Sequence, residues 1–195
     1  MKKVLSLIWK YKVYILLVFL LMLGIIAIFY QSPKKEAVIK GPDLPSEGVS
    51  YKSIIPGVSN EEDVKKQLGD PINTKKEESK KILEFKSTSP VRTHEAIIEE
   101  GKNTFIKEIV SVKDKIKSQD LIQKYGEPTY KLYNQEDSSA PFYLYVYPDK
   151  GFAFIGHNDG TLLEIWYFPP TIISEFITKW ASNYSFSQPP PSQDN

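Results

Sequence analysis

The sequence predicts an α+β fold: two tandem α-β-β-β repeats forming an antiparallel sheet with helices on one face, preceded by one transmembrane helix. Three observations carry that expectation. The phrase DVKKQLGDP (63–71) returns as DLIQKYGEP (120–128), 57 positions later. Each copy is followed by three strand-like runs in the same order. Ahead of both lies VYILLVFLLMLGIIAIF (13–29), 17 apolar residues without a break.

That run comes first in the chain. As a helix it extends about 25 Å, and flanking residues make up the rest of a hydrocarbon core. Trp9, Tyr11, Tyr14 and Tyr30 suit the two interfaces, and Lys10 and Lys12 can snorkel. Lys2, Lys3, Lys10 and Lys12 all precede the run with no acid among them. The positive-inside rule therefore assigns 1–12 to a cytoplasmic basic segment, 13–30 to an anchor in the cell membrane and the remainder to the extracytoplasmic side. A cleaved signal peptide has a shorter apolar core and small residues at the cut, whereas this run ends on bulky Phe29 and Tyr30. A buried soluble helix would carry a polar stripe, and this one has none.

Beyond the anchor the chain is globular in composition, with 41% hydrophobic residues overall. Setting aside the four N-terminal lysines leaves 21 of the 25 Lys+Arg against 24 Asp+Glu, a net of −3. No basic stripe exists, so no nucleic-acid partner is expected. Cysteine is absent, which removes disulfides, thiolate metal sites, Cys nucleophiles and Cys-linked lipid anchors.

Residues 31–52 are rich in Pro, Gly, Ser and charge and read as a linker. The first repeat (53–113) opens with IIPGVSNEEDVKKQLGDP (54–71). Ser59 and Glu62 have capping-box spacing, and Glu61, Glu62 and Asp63 suit the positive helix start. Val64 and Leu68 share a face, Gly69 can end the helix in a left-handed conformation, and Pro71 forbids its continuation. Such a short helix needs something to pack on. Strands are expected at 80–86, 95–100 and 104–112, with EGKN as a hairpin turn.

The second repeat (114–170) follows the same order. Ser118 is the expected cap, Leu121 and Tyr125 the apolar pair, and Gly126 and Pro128 the stop. Strands are expected at 141–147, 151–157 and 161–168, separated by the turn signals PDKG and HNDG. KEIV (107–110) matches LEIW (163–166) at an offset of 56. The repeated phrase thus reads as helix start, apolar face, helix stop and entry into a strand, in a sheet of about six strands. Residues 171–184 form an amphipathic helix through Ile173, Phe176, Ile177 and Trp180, and 185–195 a disordered tail.

IIPGVSNEEDVKKQLGDP resembles the opening of small envelope lipoproteins of the SmpA/OmlA type, which include the small lipoprotein of the outer-membrane β-barrel assembly machinery. Ile55, Gly57, Val64, Leu68, Gly69 and Pro71 match the pattern; Leu121, Gly126 and Pro128 match it more faintly. The resemblance implies helices packed on a three-stranded antiparallel sheet. Tandem copies of such a unit are similar to the β-lactamase-inhibitor-protein fold, where two repeats share one concave sheet. It covers 54–168 as architecture but only about fifteen residues per copy as motif. The family is anchored through a lipidated cysteine, which this chain lacks. What the resemblance implies is a scaffold that binds proteins of the cell envelope, with no catalytic residues to transfer.

The residues themselves nominate no chemistry. His94 and His157 are the only histidines, and neither has a second ligand at metal spacing. His157 and Asp159 fall in a turn, and Asp63 and Asp120 at two separate helix starts. No nucleophile elbow or phosphate loop occurs. The protein is therefore expected to be no enzyme and to use no cofactor or metal.

The aromatic residues stand out. In FYLYVY, Tyr143, Tyr145 and Tyr147 alternate with Phe142, Leu144 and Val146, so each set lines one sheet face. With Trp166 from the last strand, the three tyrosines form the candidate partner-binding face, although high strand propensity alone also explains tyrosine there. The function expected is a membrane-anchored extracytoplasmic protein-interaction module, a scaffold or inhibitor of an envelope protein. The alternative is a cell-wall glycan-binding domain, with the same rings stacking on sugars.

Overall fold

The computed structural model describes residues 48–136 and 141–189. The expected basic segment and anchor, residues 31–47 of the linker and residues 190–195 of the tail lie outside them. Among the described residues no helix is long and apolar enough to cross a membrane.

The elements run α1 (Glu61–Leu68), β1 (Asn73–Glu77), β2 (Lys80–Phe85), β3 (His94–Glu99), β4 (Lys102–Ile109), α2 (Ser118–Tyr125), β5 (Tyr130–Asn134), β6 (Phe142–Tyr147), β7 (Phe152–His157), β8 (Leu162–Tyr167), α3 (Ile173–Trp180) and β9 (Tyr184–Ser185). Nine strands form one sheet in the order β1-β2-β3-β4-β8-β7-β6-β5-β9, and every pairing is antiparallel.

Each repeat therefore contains four strands after its helix, one more than the expected three. The first extra strand, β1, is NTKKE, exposed along its whole length and without an apolar residue. It is held by its ladder to β2 and by Glu84, which takes Lys75 at 2.5 Å and the Asn73 side chain at 3.0 Å. A charged, Lys-bearing strand of this kind blunts an open sheet edge. The second, β5, buries only Leu132 completely. The tail also begins later than expected, because Ser185 pairs with Tyr133 in β9.

The repeats are related by an approximate twofold axis. Glu61 and Ser118 open the two helices 57 positions apart, and Asn73 and Tyr130 open β1 and β5 at the same spacing. At the centre β4 pairs Glu108 with Ile165, again 57 apart, flanked by Lys107↔Trp166 and Ile109↔Glu164. The register is thus symmetric about Glu108 and Ile165. The match of KEIV to LEIW at 56 would equate Glu108 with Glu164. These two acids lie on opposite faces, because slipping a strand by one residue turns every side chain over.

Two cores result, one on each face. Val64 of α1 and Leu121 of α2 pack with Leu83, Phe85, Ala96, Phe154 and Tyr167. Phe176 of α3 packs with Phe105, Leu144, Val146, Trp166 and Phe168 on the other side. Helices on one face only, as expected, hold for the two repeats but not for α3. Its strongly amphipathic face takes the strand residues whose alternation points them away from α1 and α2.

The repeated phrase has a concrete structural role. Asp63 Oδ2 accepts the Asn60 backbone N–H at 2.9 Å, and Asp120 Oδ2 accepts the Lys117 backbone N–H at 2.9 Å. Asn60, not Ser59, caps α1, and its Oδ1 accepts the Asp63 N–H at 3.0 Å. Ser59 instead accepts the Ile55 N–H, and Ser118 lies inside α2 with its N–H donated to Gly160 O at 3.1 Å. Gly69 (φ 84, ψ −167) and Gly126 (φ 85, ψ −176) end the helices in a region open essentially to glycine alone, distinct from the left-handed helical conformation expected.

The fold also begins earlier than residue 53. Val49 N–H donates to Lys150 O at 2.9 Å, and Tyr51 and Ile54 exchange backbone hydrogen bonds across Lys52 and Ser53, both at positive φ. That tight turn lays the Tyr51 ring 5.3 Å from Tyr167 and 6.1 Å from His94, where it is almost fully buried. The linker therefore gives way to the core before Tyr51.

Candidate functional site

Of the four predicted face residues, the structure groups two. Tyr143 and Tyr145 stand partly exposed on the same sheet face as α1 and α2. Tyr147 lies on that face too but is 0% exposed, and its hydroxyl donates to Gly126 O at 2.7 Å. It satisfies a helix-end carbonyl, and burial pushes its pKa up to about 12. Trp166 is on the opposite face, 7% exposed, against Phe105 and Phe176. Its register partner Ala153 alternates with Phe152 and Phe154, which face the tyrosines. The expected common surface of Trp166 with the tyrosines therefore does not form.

β5 completes the group instead. Its register sets Lys131 opposite Tyr145 and Tyr133 opposite Tyr143. Tyr133 and Tyr143 meet edge to face at 5.5 Å, and Tyr143 and Tyr145 at 6.3 Å. Both geometries satisfy the ring quadrupoles. Lys131 Nζ sits 3.5 Å from the centroid of Tyr143, 5.6 Å from Tyr133 and 5.8 Å from Tyr145. The three rings thus cradle one ammonium group. Tyr145 also stacks on Phe154 at 5.0 Å, which ties the cluster to the core beneath. Burial, with Tyr143 and Tyr133 alongside, raises the Tyr145 pKa. Tyr133 and Tyr143 belong to neither core cluster.

Lys131 and Tyr133 were not legible as site residues, although the alternation in YKLYN is a usable signal. Tyr130 and Leu132 point to the α3 side, so Lys131 and Tyr133 must point to the other.

A second polar group lies at the centre of the sheet. Tyr167 donates its hydroxyl to Glu108 Oε2 at 2.7 Å, beneath Tyr51. Burial raises the Glu108 carboxyl and drives the Tyr51 and Tyr167 hydroxyls well above their ordinary range. His94 Nδ1 accepts the Ile109 N–H at 2.9 Å, and burial together with the Lys52 charge holds its pKa below the usual value. This group is closed over by Tyr51 and assembles no nucleophile with its base.

His157 and Asp159 form a turn: Asp159 accepts the Thr161 N–H at 2.8 Å, and its pKa is held at about 2 by Thr161 and His157. Among the described residues no three His, Asp or Glu side chains gather as a metal site. No model of a known protein family, no characterised protein and no solved structure matches the chain.

Proposed function

We propose that the chain is a protein-interaction module, held at the cell membrane by residues 13–30, displayed outside the cytoplasm, and acting as a scaffold or inhibitor of an envelope protein. The observation that carries this reading is the Tyr133–Tyr143–Tyr145 cluster around Lys131, accessible yet fixed on a rigid sheet. Tyrosine supplies large contact area at low entropic cost, with a hydroxyl at its rim. A fixed ammonium among those rings suits a partner segment that carries a carboxylate beside an apolar side chain. The resemblance to small envelope lipoproteins points the same way. Wall glycan fits the cluster less well, because stacking needs a free ring face and Lys131 occupies one face of Tyr143.

A photo-cross-linking residue at Tyr143, in the full chain in cells that produce it, tests this reading. The expected result is one discrete protein adduct, weakened by Lys131→Glu and absent from the same probe at Lys76 on the exposed edge strand β1. Equal labelling at both positions, or no protein adduct together with co-sedimentation on wall polymer, would refute it.

A further inference from the structure

One end of the sheet combines exposed aliphatic side chains with exposed lysines. Val91 is 85% and Val112 94% exposed, and Ile72 and Ile116 stand exposed near them. The register sets this end: β1 begins there at Asn73, β2 ends at Phe85 beside His94, and β4 runs out at Ile109. The loop after β2 is tied to the segment after β4, since the Thr88 hydroxyl lies 2.7 Å from both Ser111 Oγ and Asp114 Oδ2. Val91 and Val112 therefore project from connected loops.

Lys86, Lys113, Lys115 and Lys117 are exposed around them and make no ion pair among the described residues. Asp114, the acid within this segment, is bonded to Thr88 and Ser111, and Asp159 beside it is bonded to Thr161 and His157. At the other end of the strands, the β1–β2 and β3–β4 turns carry Glu77, Glu78, Glu99 and Glu100 beside Lys80 and Lys102. The segment 112–117 thus concentrates three lysines against one acid, although residues 31–195 are net acidic.

We infer that this end docks on an anionic bilayer surface. Single aliphatic side chains spaced by lysines do not form the contiguous apolar patch that a protein partner would bury. They do match an interface where aliphatic groups enter to a depth of about 5–10 Å and ammonium groups meet lipid phosphates. A groove of about 420 Å³ beside Val112 and Ile116 is lined by Lys115 and Lys117, whose ammonium groups can donate to a headgroup, and by Asp159, whose carboxylate is held by Thr161 and His157. The described chain starts at Gly48, against Lys150 O and Phe168 O at the opposite end. Residues 31–47 can extend to ~55 Å, and the eight-residue β4 spans about 27 Å, so an anchor at 13–30 leaves this end free to reach the bilayer.

The chain has no cysteine, so single labels are clean. The full chain is placed in nanodiscs of phosphatidylcholine with or without phosphatidylglycerol, spin-labelled at Val112→Cys or, at the other end, at Ile172→Cys. Collision with oxygen against a water-soluble nickel complex then reports the surroundings. The expected result is lipid-phase contact for Val112→Cys on anionic discs alone, lost at high salt, with Ile172→Cys in water throughout. Each of Lys113, Lys115 and Lys117 changed to Gln should lower the ratio of docked to free domain about fivefold. A Val112→Cys label in water on every disc overturns the proposal, as does equal lipid contact at both ends. A label immobilised only when native membrane proteins are added would assign this end to an acidic protein and overturn it too. None of these residues belongs to the Lys131 cluster, so failure here leaves the partner-binding reading standing.

Discussion

The Lys131 ammonium stands 3.5 Å from the centre of the Tyr143 ring, with Tyr133 and Tyr145 closing the other sides. A cation held this way both stabilises the edge of the sheet and presents a fixed charge. Lys131→Met should cost about 0.5–1 kcal/mol of stability in urea unfolding. Lys131→Glu should leave the fold intact, by circular dichroism, while weakening the Tyr143 cross-link. Loss of the cross-link in the Glu variant but not the Met variant would show that the charge, rather than the cradle, is what the partner reads.

The two helix-stop glycines allow a clean measurement of backbone strain. A Cβ added at Gly69 or Gly126 meets nothing within 4 Å, so Ala at either site is penalised by conformation alone. Each substitution should lower stability by about 1–3 kcal/mol, and by similar amounts in the two repeats. A neutral result at either site would mean that the helix end relaxes without loss.

Trp166 illustrates why a buried aromatic cannot serve as a binding probe. Its indole N–H donates to Glu164 Oε2 at 2.6 Å, and Arg92 pairs with the same carboxylate. Trp166→Ala should cost about 3–5 kcal/mol and leave Glu164 with one partner fewer. Tyr143→Ala, at a partly exposed site outside both cores, should cost less than about 1.5 kcal/mol. Thermal unfolding of the two variants side by side checks the contrast.

Two half-buried groups pull the pH dependence in opposite directions. The His94 pKa is lowered in the fold, so the unfolded chain binds the extra proton first. Its contribution is complete above pH 6.5 and is lost as pH falls through the folded value. The Glu108 pKa is raised, so its contribution is complete below about 4.5 and is lost as pH rises through the folded value. Lys52, Asp114, Tyr51 and Tyr167 surround the pair. Relative to the parent, His94→Gln should gain stability as pH falls below 6.5, and Glu108→Gln should gain it as pH rises above 4.5. Denaturant midpoints of the three proteins across pH 4–8 measure both slopes.

What could be read without coordinates was local. Asp63 and Asp120 mark helix starts, Gly69 and Gly126 mark helix ends, and alternation marks β2, β3, β4, β6, β7 and β8, because each signal acts within a few residues. The missing strands carried weak local signals: β1 has no apolar residue, and β5 alternates over only a few positions. Their place comes from the strands they pair with.

The sequence by itself determined the duplication, the helix stops at Gly69 and Gly126, and the fact that Tyr143, Tyr145 and Tyr147 share a face, whereas the cap of the first helix proved to be Asn60 and not Ser59. Only the tertiary structure decided that Trp166 lies on the other face, that Tyr147 is consumed by Gly126, and that Lys131 enters the tyrosine cluster. The physical reason is that side-chain direction along one strand follows from its pleat, whereas neighbours across strands follow from register. Register in turn is settled by how helices on both sides bury their apolar faces, a condition on the whole sheet that no short stretch contains.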